Sequence, residues 1–275
     1  MRTEPHRGFF RSNYLYNNSY LLFCQVVYPQ FLIILVLIPS ITHRQFSFSS
    51  NFMSAKKHIV IFSHGFGARK DDRGLFSDIA IALPGAHAIM FDYNEVDEQN
   101  NTITVKPFSE QAMTLKKIIE EQKQNNPDAE IDLIGHSQGC RIIAIVHPAN
   151  IRKIILIAPP TDIGIDRTLA RYKKQPGAII DLNGITKLPR TDGSFSLIPA
   201  KYWQEREGDT PPINSYNKLA QSSEITIIKP TQDTVSGEQS FNGLSNKITM
   251  IELDGNHDFT HSRKELCETI KNIIL

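Results

Sequence analysis

The stretch Ile131-Asp-Leu-Ile-Gly-His-Ser-Gln-Gly-Cys-Arg-Ile-Ile-Ala144 decides how the rest of this chain is read. An apolar run, Ile131 to Ile134, stops at Gly135-His136-Ser137-Gln138-Gly139 and resumes as Cys140 to Val146, with no breaker before Pro148. The pattern predicts a strand, a tight turn and a helix in succession. G-x-S-x-G in that setting is a nucleophile elbow. Glycine is expected at 135 and 139 because side chains two before and two after the serine would collide. The serine is expected in a strained conformation with its oxygen exposed, and the following helix points its positive end at the site. An ordinary strand–helix turn could contain the same five residues; the flanking strand and helix are what set the elbow apart.

Working outward, short apolar runs alternate with helical periodicities. His58-Ile-Val-Ile-Phe62 reads as a buried strand ending at Ser63-His64-Gly65, and Leu75, Phe76, Ile79 and Leu83 mark one helix face closed by Pro84-Gly85. Ala88-Ile-Met-Phe91 is the next strand, followed by a polar loop, and Phe108, Ala112, Leu115 and Ile119 mark a helix ending near Pro127. Strands are further expected at Ile151 to Ala158, Ile225 to Ile228 and Ile248 to Leu253, with a last helix from about Thr260. This alternation implies an α/β fold, a doubly wound, mostly parallel sheet with helices on both faces. Functional loops then gather at the carboxyl ends of the strands.

Composition removes several classes of function. The 30 Lys and Arg against 29 Asp and Glu make nucleic acid a poor partner. Cys24, Cys140 and Cys267 are odd in number and match neither a disulfide framework nor a zinc motif. The nine histidines include no H-E-x-x-H pair, so no metal is implied. Gly65-Phe-Gly67-Ala-Arg-Lys lacks the third glycine of a dinucleotide fingerprint, and no cofactor is expected.

The elbow, with His64-Gly65-Phe66-Gly67 after the first strand, resembles the α/β-hydrolase family over nearly all of residues 56–275. That resemblance implies the order nucleophile, acid, histidine. Ile225-Thr-Ile-Ile-Lys-Pro-Thr-Gln-Asp233 puts an aspartate just past a strand, and Ile251-Glu-Leu-Asp-Gly-Asn-His257 puts a histidine past the final one. The implied triad is Ser137, Asp233 and His257. Asp254 and Asp258 remain rivals for the acid, and His261 for the base, although it is expected inside the last helix. The oxyanion hole implied by the resemblance uses the backbone N–H groups of Phe66 and Gln138. His64 and His136 are read as loop-shaping residues, His147 as a helix-end residue and Cys140 as a small packing residue.

Between the strand near Pro159 and that near Ile225 lie roughly 65 residues, too many for a plain crossover. A cap is expected over about 161–223, with a helix at Asp166 to Lys174 and a hairpin of Ala178 to Leu182 and Ile185 to Leu188 turning at Asn183-Gly184. A helix-plus-hairpin cap is similar to that of small acyl and hydroxycinnamoyl esterases. Phe195, Tyr202 and Trp203 are candidates for an apolar acyl pocket, or pack the cap onto the domain.

The expected activity is therefore hydrolysis of a small-molecule carboxylic ester through an acyl-serine. A thioesterase, a small-peptide hydrolase and a non-catalytic binding protein of the same fold are the alternatives. Residues 1–52 read differently: Phe31-Leu-Ile-Ile-Leu-Val-Leu-Ile38 lies in an apolar stretch, Tyr20 to Ile41, interrupted by Gln25, Pro29 and Gln30. It is a membrane or signal anchor, an added strand, or a non-native start ahead of Met53. The last is favoured, with a catalytic domain at 53–275 and a cytoplasmic location.

Overall fold

The computed structural model describes residues 56–236 and 240–275; the expectations for residues 1–52 lie outside them. Six strands build the main sheet: β1 (His58–Ser63), β2 (Ala86–Ile89), β5 (Glu130–His136), β6 (Lys153–Ile157), β9 (Glu224–Pro230) and β10 (Ile248–Leu253). Their order is β10-β9-β6-β5-β1-β2, and every neighbouring pair is parallel.

Parallel strands buried on both faces need continuous apolar runs, and the side-chain period of two assigns alternate residues to opposite cores. Ile59 and Ile61 of β1, Leu133 of β5 and Leu156 of β6 face one layer, with Leu115 and Ile119 of α2 (Phe108–Asn125) and Ile142 and Ile143 of α3 (Gln138–Val146). Val60, Phe62, Ile134 and Ile155 face the other, against Leu75, Phe76 and Ile79 of α1 (Leu75–Ala82) and Leu266, Ile270 and Ile274 of α7 (Arg263–Ile274). The sheet is thus doubly wound, as the alternation predicts.

After β1 the chain steps to β2 on one side, then returns to β5 on the other. The carboxyl ends of β1 and β5 therefore diverge at a topological switch point, where a crevice forms. The elbow and the His64–Gly67 loop both open into it.

The segment between β6 and β9 holds α4 (Ile165–Lys173), β7 (Ile185–Pro189), β8 (Phe195–Pro199), α5 (Ala200–Glu207) and α6 (Pro212–Leu219). Two expectations here are corrected. The hairpin expected to turn at Asn183-Gly184 is reduced to one antiparallel bridge, Ile179–Lys187, with an N–H···O bond in each direction (2.9 and 2.8 Å), and β7 forms its ladder with β8 instead. Asp181 Oδ1 accepts from the N–H groups of Asn183 and Gly184, and Thr186 Oγ1 bonds both the N–H and the carbonyl of Asp181. Those side-chain bonds take the places of ladder bonds. The loop expected after Phe91 also contains two strands, β3 (Glu95–Asp97) and β4 (Thr102–Thr104). β4 pairs parallel with β8, giving a second sheet β3-β4-β8-β7, so the cap draws strands from two separate insertions.

Among the described residues, no helix is long and apolar enough to cross a membrane.

Candidate active site

Ser137 sits between the end of β5 and the start of α3 with φ 52° and ψ −120°, a conformation a non-glycine residue adopts only under strain. Its backbone N–H donates to the Ile157 carbonyl (2.9 Å), tying the elbow to β6. The reason for the flanking glycines differs from the collision expected. A methyl on Gly139 would strike the backbone carbonyl of Ser63 at the end of β1. One on Gly135 would lie 2.8 Å from Ile143 Cδ1 and 3.0 Å from Cys140 N. Each glycine thus answers to a different neighbour, a strand for one and the following helix for the other.

Three side chains from three strand ends meet above the elbow. His257 Nε2 lies 2.9 Å from Ser137 Oγ, and His257 Nδ1 lies 2.8 Å from Asp233 Oδ2. The other oxygen of Asp233 accepts from the N–H groups of Val235 (2.8 Å) and Ser236 (2.9 Å). Burial pushes the Asp233 carboxyl up, but His257 and these two N–H groups outweigh it and bring its pKa down to about 2. The rivals are elsewhere: Asp254 accepts from Thr231 and Gln232, Asp258 pairs with Arg73, and His261 is exposed ahead of α7 rather than inside it.

Gln138 is the first residue of α3, so its N–H is one of those a helix start leaves without an intrahelical partner. Its side chain is fixed by the Tyr202 hydroxyl, which donates to Gln138 Oε1 (2.6 Å), and by its own donation to Gln111 Oε1 (3.0 Å). Phe66 follows β1, with its ring 5.7 Å from that of Tyr202. The loop carrying it is held from below. His64 Nδ1 donates to the Gly65 carbonyl (2.9 Å), its Nε2 accepts from Tyr93 N–H (3.0 Å), and Gly65 N–H donates to Asp72 Oδ2 (2.8 Å). Burial lowers the His64 pKa, which agrees with this neutral tautomer.

A cavity of about 100 Å³ opens beside Ser137, and the sequence reading of its wall needs correction. Tyr202 lines it, with Phe66, Phe108, Gln138 and Tyr172. Phe195 and Trp203 do not: Phe195 lies under Lys187 Nζ (3.9 Å to the ring centroid), and Trp203 packs edge-on against Tyr172 and Tyr202 in the cap. Alternation along β8 turns Phe195 to the cap's own face, and Trp203 follows Tyr202 by one residue, so it cannot share that helix face.

No protein-family model and no curated protein matches the sequence. Solved structures do. The chain is similar to Est1E from Butyrivibrio proteoclasticus at 16% identity and TM-score 0.56, over 79% of this chain and 87% of that one. It is similar to the esterase domain of a Rhodothermus marinus protein at 16% identity and TM-score 0.55, over 80% and 88%. The Pyrococcus furiosus esterase Pf2001 is similar at 14% identity and TM-score 0.53, over 79% and 80%.

The fold is that of the α/β-hydrolases. On this α/β-hydrolase frame, the sequence reading missed one buried pair. His136, beside the serine, has Nδ1 2.6 Å from Asp72 Oδ2 and Nε2 3.1 Å from the His257 carbonyl oxygen. Asp72 lies in a polar run, Asp71-Asp-Arg73, with no local pattern to mark it. Cys140 donates its thiol to the Ile157 carbonyl (3.3 Å), and burial raises its pKa, so it is a packing residue here. His136, His257 and Asp258 bring donor atoms within 4.8 Å of one another, but Asp72 and Ser137 already engage the two rings.

Proposed function

We propose that this α/β-hydrolase-fold chain is a serine hydrolase cleaving carboxylic esters through a covalent acyl-serine. The observation that carries the reading is the chain of contacts from Ser137 Oγ to His257 Nε2 (2.9 Å) and from His257 Nδ1 to Asp233 Oδ2 (2.8 Å). A serine hydroxyl is a poor nucleophile at neutral pH, and it needs a base in hydrogen-bond reach and a group that orients the base. The esterase descriptions of the similar structures support the same reaction class.

In this mechanism Ser137 Oγ attacks the ester carbonyl while His257 Nε2 takes the hydroxyl proton. Asp233, ionised and held by Val235 and Ser236, keeps the ring in the required tautomer and stabilises the imidazolium. The N–H groups of Gln138 and Phe66 receive the carbonyl oxygen as it becomes an oxyanion. His257 passes its proton to the departing alkoxide, releasing the alcohol and leaving the acyl group on Ser137. A water then gives a proton to His257 and attacks the acyl carbon. The acid departs and the proton returns to Ser137.

The test is reaction of the full-length chain with a fluorophosphonate probe, beside hydrolysis of p-nitrophenyl acetate. The reading expects labelling and turnover in the parent and neither in Ser137→Ala. A folded parent that does not label and hydrolyses no ester overturns it.

A further inference from the structure

The cavity beside Ser137 has a wall that a hydrocarbon-binding site would not have. Four arginines line it: Arg141, Arg167, Arg171 and Arg206. Among the described residues, the one carboxylate in that lining is Asp162, and it is held by Arg167 in a two-bond fork (2.8 and 2.9 Å). Arg141, one helical turn beyond the serine on α3, is buried and pairs with Asp209. Four guanidinium charges thus meet two carboxylates.

The remaining two are Arg206 and Arg171. Arg206 gives its donors to neutral oxygens, the Ile163 carbonyl (2.9 and 2.8 Å) and Thr168 Oγ1 (2.8 Å). These bonds fix the guanidinium in place without neutralising it. Among the described residues, Arg171 Nη1 donates to the Val235 carbonyl (3.3 Å), and its guanidinium lies over the Tyr172 ring, 5.3 Å from the centroid. No described carboxylate lies within ion-pair distance of either. A neighbouring depression of about 300 Å³ shares Arg167, Thr168, Arg171 and Val235 with the cavity and adds Lys174. The basic wall therefore continues outward from the serine, which draws anions toward it.

A hydrocarbon chain is a poor occupant of this wall, because burying one against unneutralised guanidinium groups would cost their solvation. A carboxylate suits a planar guanidinium fork and returns the missing counter-charge.

We propose that the ester cleaved at Ser137 carries an anionic group, a carboxylate on a short acyl chain, which Arg171 and Arg206 receive. This rests on the serine-hydrolase reading above and adds the substrate class. Arg206 supplies the fixed charge, and Arg171, on the exposed rim, supplies the second.

The test compares kcat/KM of the full-length chain on monoethyl glutarate and on ethyl pentanoate, esters of equal chain length that differ by the terminal carboxylate. Fluorophosphonate labelling of Ser137 is run in parallel. The expectation is a preference of about tenfold or more for the anionic ester, the factor that about 1.4 kcal/mol provides. That preference falls in roughly 1 M salt, where the screening length is about 3 Å. Arg171→Met, at an exposed position, loses most of the preference, and Arg171→Lys retains more of it. Equal rates on the two esters, or a preference for the neutral one, with Ser137 labelling normally, overturn the proposal and leave the hydrolase reading standing. Absence of both labelling and turnover overturns the hydrolase reading, and this proposal with it.

Discussion

His136 is held between Asp72 and the backbone of His257: its Nδ1 lies 2.6 Å from the Asp72 carboxylate and its Nε2 3.1 Å from the His257 carbonyl oxygen. Both ring nitrogens face acceptors, so both carry protons, and the ring is an imidazolium. Burial opposes that charge, yet the Asp72 carboxylate outweighs it and raises the His136 pKa. Burial likewise opposes charge on Asp72, and His136 overrides it, holding that carboxyl well below the usual range. The pair therefore supports the loop of Phe66, through Gly65, and the backbone of the proposed base from one buried point.

Asp72→Asn should destabilise the fold by about 3–5 kcal/mol, because it leaves His136 without its buried counter-charge. The loss has a pH signature. The raised His136 pKa contributes stability that is full below the unfolded value of 6.5 and fades as pH rises through the folded value. The depressed Asp72 pKa contributes stability that is full above 3.8 and fades as pH falls toward the folded value. Urea unfolding of both proteins should show the largest gap between pH 3.8 and 6.5 and a shrinking one above it. A gap that widens at alkaline pH would contradict the imidazolium assignment.

Asp233→Asn should lower kcat by on the order of 10⁴, with the fold intact, as loss of the group that fixes the histidine tautomer does elsewhere. Asp254→Asn and Asp258→Asn should stay within a few-fold of the parent. Because Asp233 titrates at about 2, it remains ionised through the working range, so the acid limb of the rate profile belongs to another group. Steady-state rates of the three variants decide this, and a loss below tenfold in Asp233→Asn would remove it from the triad.

Gly139→Ala should cost about 3 kcal/mol or more, since the new methyl meets backbone at Ser63 and His64, which cannot step aside. Gly193→Ala is the contrast. Its φ is +82° but nothing lies within 4 Å, so it should cost only the left-handed conformation, about 1–2 kcal/mol. Denaturant midpoints of the two variants test this; a loss in Gly139→Ala no larger than that in Gly193→Ala would show that the approach of β1 does not require glycine at 139.

Much of the frame was legible locally. Ile59 to Phe62, Leu133-Ile134 and Ile154 to Ile157 are short apolar runs whose own composition marks them as two-faced strands, and the elbow is marked by its five residues together with the strand before and the helix after. The cap was less so. β4 is three residues long, and its partner β8 lies some ninety positions later, so no window along the chain contains the reason it is a strand. The Asn183-Gly184 signal marks a real reversal, closed by the bridge Ile179–Lys187, but no ladder follows, because Asp181 and Thr186 side chains satisfy the backbone that it would have used.

The sequence by itself determined the alternating sheet and the sharp turn at Ser137, which follow from periodicity and glycine placement. The order of serine, aspartate and histidine is what the α/β-hydrolase resemblance implied. Only the tertiary structure decided that Asp233, not Asp254 or Asp258, reaches His257, that Asp72 stands against His136 as its counter-charge, and that Arg206 and Arg171 stand on one wall. Those outcomes are distances between residues far apart in sequence, and they depend on how loops from different strand ends converge over the switch point.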